Sequence, residues 1–105
     1  MANYHILVTI SANTINEGTK LYLDGDRKDL LRVNNSFVFE DQNIPLDNIF
    51  SYNVTVDTDI PYQGWSMVIQ INTKSLDPIT GITDKNCDAS KSGALNLPIP
   101  NPNPL

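Results

Sequence analysis

Phe50-Ser51-Tyr52-Asn53-Val54-Thr55-Val56 places an apolar or aromatic side chain at every second position, with Ser51, Asn53 and Thr55 between them. An extended chain sends successive side chains to opposite faces, so this run reads as a strand with one dry and one wet face. Trp65-Ser66-Met67-Val68-Ile69-Gln70-Ile71-Asn72 repeats the pattern, with Trp65, Met67, Ile69 and Ile71 on the dry side. Two strands that each need cover call for a second layer, and the shared interior is expected to hold Phe50, Tyr52, Trp65 and Met67.

Working outward, Tyr4, Ile6, Val8 and Ile10 share one face of a first strand. Residues 13–18 read as a loop and 19–23 as a second strand that stops at Asp24-Gly25-Asp26. Asp-Gly suits a hairpin turn, because the turn needs positive φ where glycine bears no steric cost. Residues 28–33 are expected as a third strand, Asn34-Asn35 as a turn, and 36–40 as a fourth strand with Phe37 and Phe39 on a common face. The polar stretch 41–48, which contains Pro45, reads as a connection between sheets, and 57–64, with Pro61, as another. Asp77-Pro78 and Gly81 punctuate a weaker segment, 83–93 is polar and loop-like, and 94–99 is the last expected strand. Prolines at 98, 100, 102 and 104 leave 100–105 as an extended, polyproline-like tail.

About seven short strands in one unit, residues 1–99, give an all-β fold, an antiparallel two-sheet sandwich. An up-and-down barrel is the alternative; the long connections at 41–48 and 57–64 favour the sandwich, since they can cross between sheets. Only four alanines and two glutamates are present, which suits this reading better than a helical one.

The chain has 105 residues, seven Lys and Arg against twelve Asp and Glu, and a net charge of −5. Scattered cations on an acidic chain exclude DNA and RNA as partners. No apolar stretch approaches the roughly 18 to 20 residues that cross a bilayer, so membrane insertion is not expected. Residues 1–5 run into the first strand without a leader-like pattern, and Cys87, being alone, can form no intrachain disulfide.

Leu30-Leu31-Arg32-Val33-Asn34-Asn35-Ser36-Phe37-Val38-Phe39, then Tyr52-Asn53-Val54-Thr55-Val56-Asp57-Thr58, then Pro61 and Gly64 follow a recognisable order. A strand ends in an Asn turn before an aromatic-x-aromatic strand, and a Tyr-x-Val-Thr-Val strand precedes a Pro-containing loop. This resembles immunoglobulin-like repeat modules of bacterial extracellular and surface proteins, over about forty residues from 24 to 64. The chain departs from those modules where they often carry Cys, at Trp65-Ser66-Met67, and it has less Gly before the second strand. The resemblance implies an immunoglobulin-like sandwich, an extracellular or surface location, and a structural or adhesive role with no catalytic residues.

Chemistry-bearing residues are few. His5 is the single histidine and lies in a strand, and no nucleophile elbow is present, so no catalytic residue is assigned and the chain is read as a non-enzyme. One His and one Cys cannot supply a conventional zinc site. Calcium, the one cofactor weighed, would draw on loop carboxylates, with Asp24 and Asp26 as metal candidates beside Asp57 with Asp59 and Asp84 with Asp88. Tyr62 and Trp65 flank Gln63-Gly64 next to Asp57 and Asp59, the mix of aromatic faces and carboxylates that binds sugars; Trp65 also opens a core strand, where packing is its other role. Asn34-Asn35-Ser36 and Asn53-Val54-Thr55 match the glycosylation acceptor pattern. The expected function is a non-enzymatic module for adhesion, assembly or surface display, in contact with a protein partner or a second copy. A carbohydrate-binding, lectin-like module, calcium-assisted and contacting glycan through Tyr62, Trp65, Asp57 and Asp59, is the alternative.

Overall fold

The computed structural model describes residues 2–46 and 49–96, and its regular elements are all strands. β1 (Ala2–Ser11) is followed by β2 (Lys20–Leu23), β3 (Asp26–Lys28), β4 (Leu31–Val33) and β5 (Ser36–Leu46). β6 (Ile49–Asp57), β7 (Gly64–Ile71), β8 (Lys74–Ser75), β9 (Ile79–Ile82) and β10 (Asp88–Asn96) complete the series. They form two antiparallel sheets packed face to face. One has the order β4-β5-β1-β7, with β8 and β9 sharing the far side of β7; the other has the order β10-β6-β2-β3.

The interior follows from alternation. Ile6, Val8 and Ile10 of β1 stand beside Met67, Ile69 and Ile71 of β7, and Phe50, Val54 and Val56 of β6 with Leu21 and Leu23 of β2 face them from the other sheet. All of these are buried, as is Trp65, while Tyr52 is partly buried against them. Ile15, inside the expected loop 13–18, also enters the core and bridges to Thr58.

Several expectations need correction. The described residues hold ten strands, three more than expected, because β8 and β9 are too short to show a period. Residues 28–33 are not one strand. Asp26–Lys28 completes a hairpin with β2 while Leu31–Val33 pairs with β5 in the other sheet, so the chain changes sheets at Asp29-Leu30. Alternation records which face a side chain takes but not which neighbour receives the backbone hydrogen bonds.

Residues 41–46 are strand, not connection. They continue pairing with β1 after a register slip between Tyr4 and Ile6, which brings Asn3 opposite Pro45. Proline is tolerated because β4 covers only residues 36–38 of β5, leaving the rest of its outer side unpaired. The sheet change expected there does occur, since β5 and β6 belong to different sheets. Residues 88–93 are likewise strand. They look like loop because β10 is an edge, with Ser90, Lys91 and Ser92 exposed. The tail at 100–105, with 97–99 of the last expected strand, lies outside the described residues.

Turn chemistry matches expectation at Asp24-Gly25, where φ is 51° and 85° and Leu23 pairs with Asp26, the geometry of a type I′ hairpin. Asn72-Thr73 makes a second such turn, with φ of 50° and 68°, between β7 and β8. Asn72 is fastened to β1: its N–H donates to the His5 carbonyl at 2.8 Å, and its Oδ1 accepts the His5 N–H at 2.9 Å. Thr73 is not tied to β1, its hydroxyl donating to the neighbouring Asn72 carbonyl, and it is β-branched in the left-handed region, a costly combination. Thr73→Gly is therefore expected to raise unfolding stability by about 1 kcal/mol in urea titration. Phe50→Ala, at the centre of the core, should lower it by about 3–5 kcal/mol.

Candidate functional site

The loop end holds Asp57, Asp59, Tyr62 and Trp65, four of the residues singled out from the sequence. Residues 57–64 cross from β6 to β7 and are fixed by buried hydroxyls. The Thr58 hydroxyl donates to the Ile60 carbonyl at 2.8 Å and lies 3.2 Å from the Thr83 hydroxyl. Thr83 Oγ1 accepts the Gln63 N–H at 2.8 Å. The Thr58 N–H donates to the Cys87 carbonyl at 2.8 Å and the Asp59 N–H to the Thr14 carbonyl at 2.9 Å. Three connections, 12–19, 57–64 and 83–87, are thereby tied into one unit.

Asp57 and Asp59 serve the same fastening. Asn16 donates its N–H to the Asp57 carbonyl at 2.9 Å and its Nδ2 to Asp59 Oδ1 at 3.0 Å. The Asp57 carboxylate packs against Gly18, where any side chain would displace it.

Tyr62 and Trp65 have opposite fates. Tyr62 is 69% exposed and held at φ 58°, a conformation aromatic residues seldom adopt. Trp65 is only 5% exposed, and its indole edge lies over Gly81, where a Cβ would stand 2.8 Å from Nε1. That Nε1 is a buried donor without an acceptor. The sugar-stacking pair expected of Tyr62 and Trp65 is thus not formed: Trp65 packs in the interior because it opens the dry face of β7.

Asp24 Oδ1 accepts from the Ser51 N–H at 2.8 Å and lies 3.2 Å from its hydroxyl, bracing the hairpin against β6. Asp26 is exposed. Among the described residues no group of three or more His, Cys, Asp or Glu is placed to hold a metal ion. His5 is engaged with Glu40, Nε2 to Oε2 at 2.6 Å.

A feature not singled out from the sequence lies on the outer face of the six-stranded sheet. Val33, Ser36, Ser11, Ser66 and Thr80 fall in one row across β4, β5, β1, β7 and β9. Ser11 and Ser36 are hydrogen bonded at 2.7 Å. The next row is Leu31, Val38, Thr9 and Val68. Leu31 is 69% exposed, and Ile82 extends the apolar surface opposite Gly64. Neither row contains an ionisable side chain. An open groove of about 740 Å³ runs over Ser11, Ser36, Ser66 and Thr80 at one end of this face.

The sequence does carry a signal for this surface: Ile6-Leu7-Val8, Phe37-Val38-Phe39 and Met67-Val68-Ile69 are unbroken apolar triplets in three adjacent strands. Continuous runs mark strands covered on both faces. Leu21-Tyr22-Leu23 and Val54-Thr55-Val56, in the other sheet, interrupt the aliphatic run.

Comparison with protein-family models, with curated proteins and with solved structures finds no match. The likeness to immunoglobulin-like modules therefore rests on the sequence segments alone.

Thr83→Val keeps the shape of the side chain but removes the acceptor for Gln63. It should cost about 1–3 kcal/mol of stability and accelerate amide exchange at residues 58–63, both readable by hydrogen-exchange mass spectrometry.

Proposed function

We propose that this domain is a non-enzymatic module that works by protein–protein contact, in assembly or adhesion, and that the outer face of its six-stranded sheet docks against a second copy of the chain. The observation that carries this reading is the apolar triplet in each of β1, β5 and β7, which puts Leu7, Val38 and Val68 on the face away from the core. The opposite outer face of the same sandwich, with Lys20, Tyr22, Asn53 and Thr55, shows that the fold itself does not require this.

Size and charge favour a second copy. β1, β5 and β7 present roughly four outward residues each and the short β4 and β9 about two each, which at about 4.8 Å strand spacing is on the order of 500 Å². Two copies face to face would cover about 1,000 Å², the size of a small, weak interface. Each copy carries a net charge of −5; the rows through Ser11 and Thr9 hold no ionisable side chain, and Glu40, opposite Leu7 at the margin of the face, is paired with His5, so approach through this face keeps most of the like charges apart. The resemblance to bacterial surface modules adds support for an adhesive or assembly role outside the cell.

The expected behaviour is concentration-dependent dimerisation in sedimentation equilibrium, with a Kd of about micromolar order. Val38→Lys and Val68→Lys should each shift the protein to monomer with an unchanged circular dichroism spectrum. Thr55→Lys, on the other sheet, should leave the dimer intact. A wild-type chain that stays monomeric at millimolar concentration, or lysine variants that dimerise as well as wild type, would refute the proposal.

A further inference from the structure

The four-stranded sheet has its own outward feature, on the side of the molecule away from the proposed dimer face. An open groove of about 650 Å³ is lined by Tyr22, Ser51, Tyr52, Asn53, Ser92 and Gly93, among others. Ser92, Asn53 and Tyr22 fall in one register row across β10, β6 and β2. Tyr22 is half-buried and turned to the outer side, since Leu21 and Leu23 on either side of it are buried.

We infer that this groove is a binding site for a neutral saccharide, with Tyr22 as the stacking face and Asn53 and Ser92 as the hydrogen-bonding groups. The chain has nineteen ionisable Asp, Glu, Lys and Arg, seven basic and twelve acidic, yet none of them lines the groove. By contrast, the smaller groove beside β3 is lined by Glu17, Arg27, Lys28 and Asp29. Arg27 stands opposite Tyr22 at the end of the row but lines that second groove, so the polar groups lining this one are uncharged and suit a neutral ligand.

The polar groups in the groove are available. Among the described residues, Tyr22, Asn53 and Ser92 make no side-chain hydrogen bond to protein, whereas Thr55 with Ser90, one row away, are paired at 3.1 Å. A carboxamide both donates and accepts, and so do a serine hydroxyl and a phenol, which is what the alternating hydroxyls of a sugar require. A half-exposed aromatic ring beside them covers the C–H face of a pyranose.

The backbone argues against a peptide ligand. β2 and β6 are paired on both sides, and the free edge of β10, whose Ser92 and Gly93 line the groove, carries the inward-turned Lys91, which discourages strand addition. Its polar contacts must come from side chains. Three strands at about 4.8 Å spacing make the row from Ser92 to Tyr22 roughly 10 Å long, enough for a short oligosaccharide rather than a single ring.

The test is titration calorimetry of the whole chain with a panel of neutral oligosaccharides, namely gluco-, manno-, galacto-, xylo- and chito-oligosaccharides, alongside uronate-containing and sialylated ones. At least one neutral series is expected to bind. Tyr22→Ala should weaken that binding about tenfold or more, Tyr22→Phe should keep it within about threefold, and Asn53→Ala should weaken it about tenfold. Circular dichroism and the dimerisation measured with Val38→Lys as reference would show that each variant folds. Tyr62→Ala should leave binding unchanged, separating this groove from the aromatic at the loop end. Absence of binding by every neutral series, binding confined to the acidic sugars, or equal affinity in folded Tyr22→Ala would each overturn the inference.

Discussion

The structure depends on β1 being paired on both sides, with β5 along nearly its whole length and with β7 from Ile6 to Ser11. Ile6, Val8 and Ile10 on its inner face are fully buried and face the β2–β6 layer, so a slip of one residue would turn the apolar set outward and polar residues in. That constraint fixes the register of both neighbours at once. Because β5 and β7 take their alignment from β1, their outward residues align as well, and the row Ser36, Ser11, Ser66 follows from the packing on the other side of the sheet. The surface assigned to partner contact is thus set by the interior.

The two outer faces of the sandwich differ in chemistry although both rest on the same core. Aliphatic side chains and hydroxyls dominate one, while the other carries lysine, asparagine, threonine and a tyrosine groove. The flanks between the sheets are closed by long cationic side chains. Lys28 lies over Phe39 at 5.7 Å and Arg32 over Phe37 at 5.5 Å, with Arg32 also paired to Glu17. On the opposite flank Lys91 reaches from β10 to the Thr80 carbonyl of β9 at 3.4 Å. An inward-turned lysine on an edge strand discourages further strand addition, which directs association toward the faces rather than the edges.

The loop end is built differently from either face. Its connections are held by backbone hydrogen bonds between loops together with the Thr58 and Thr83 hydroxyls, and of the Asp57 and Asp59 pair Asp59 accepts from Asn16 through its carboxylate while Asp57 accepts through its carbonyl. Tyr62 is left projecting from a rigid base in a strained conformation, at φ 58°. Backbone strain of this kind persists only where the surroundings over-determine it, and here the Thr58–Thr83 pair and the Gln63 N–H supply that determination.

Alternation in residues 50–56 and 65–71 determined the strand character of the chain, its two layers and most of its core, because a period of two has a single extended solution when one face must be dry. Asp24-Gly25 determined a hairpin for a similarly local reason. Tertiary structure alone decided that residues 28–33 divide between two sheets and that 41–46 and 88–93 are strands, since those outcomes depend on which distant backbone accepts each hydrogen bond. It also decided that Trp65 is interior while Tyr62 is not. Both stand beside the same loop in sequence, and only the packing of β7 on β9 covers one and leaves the other in water.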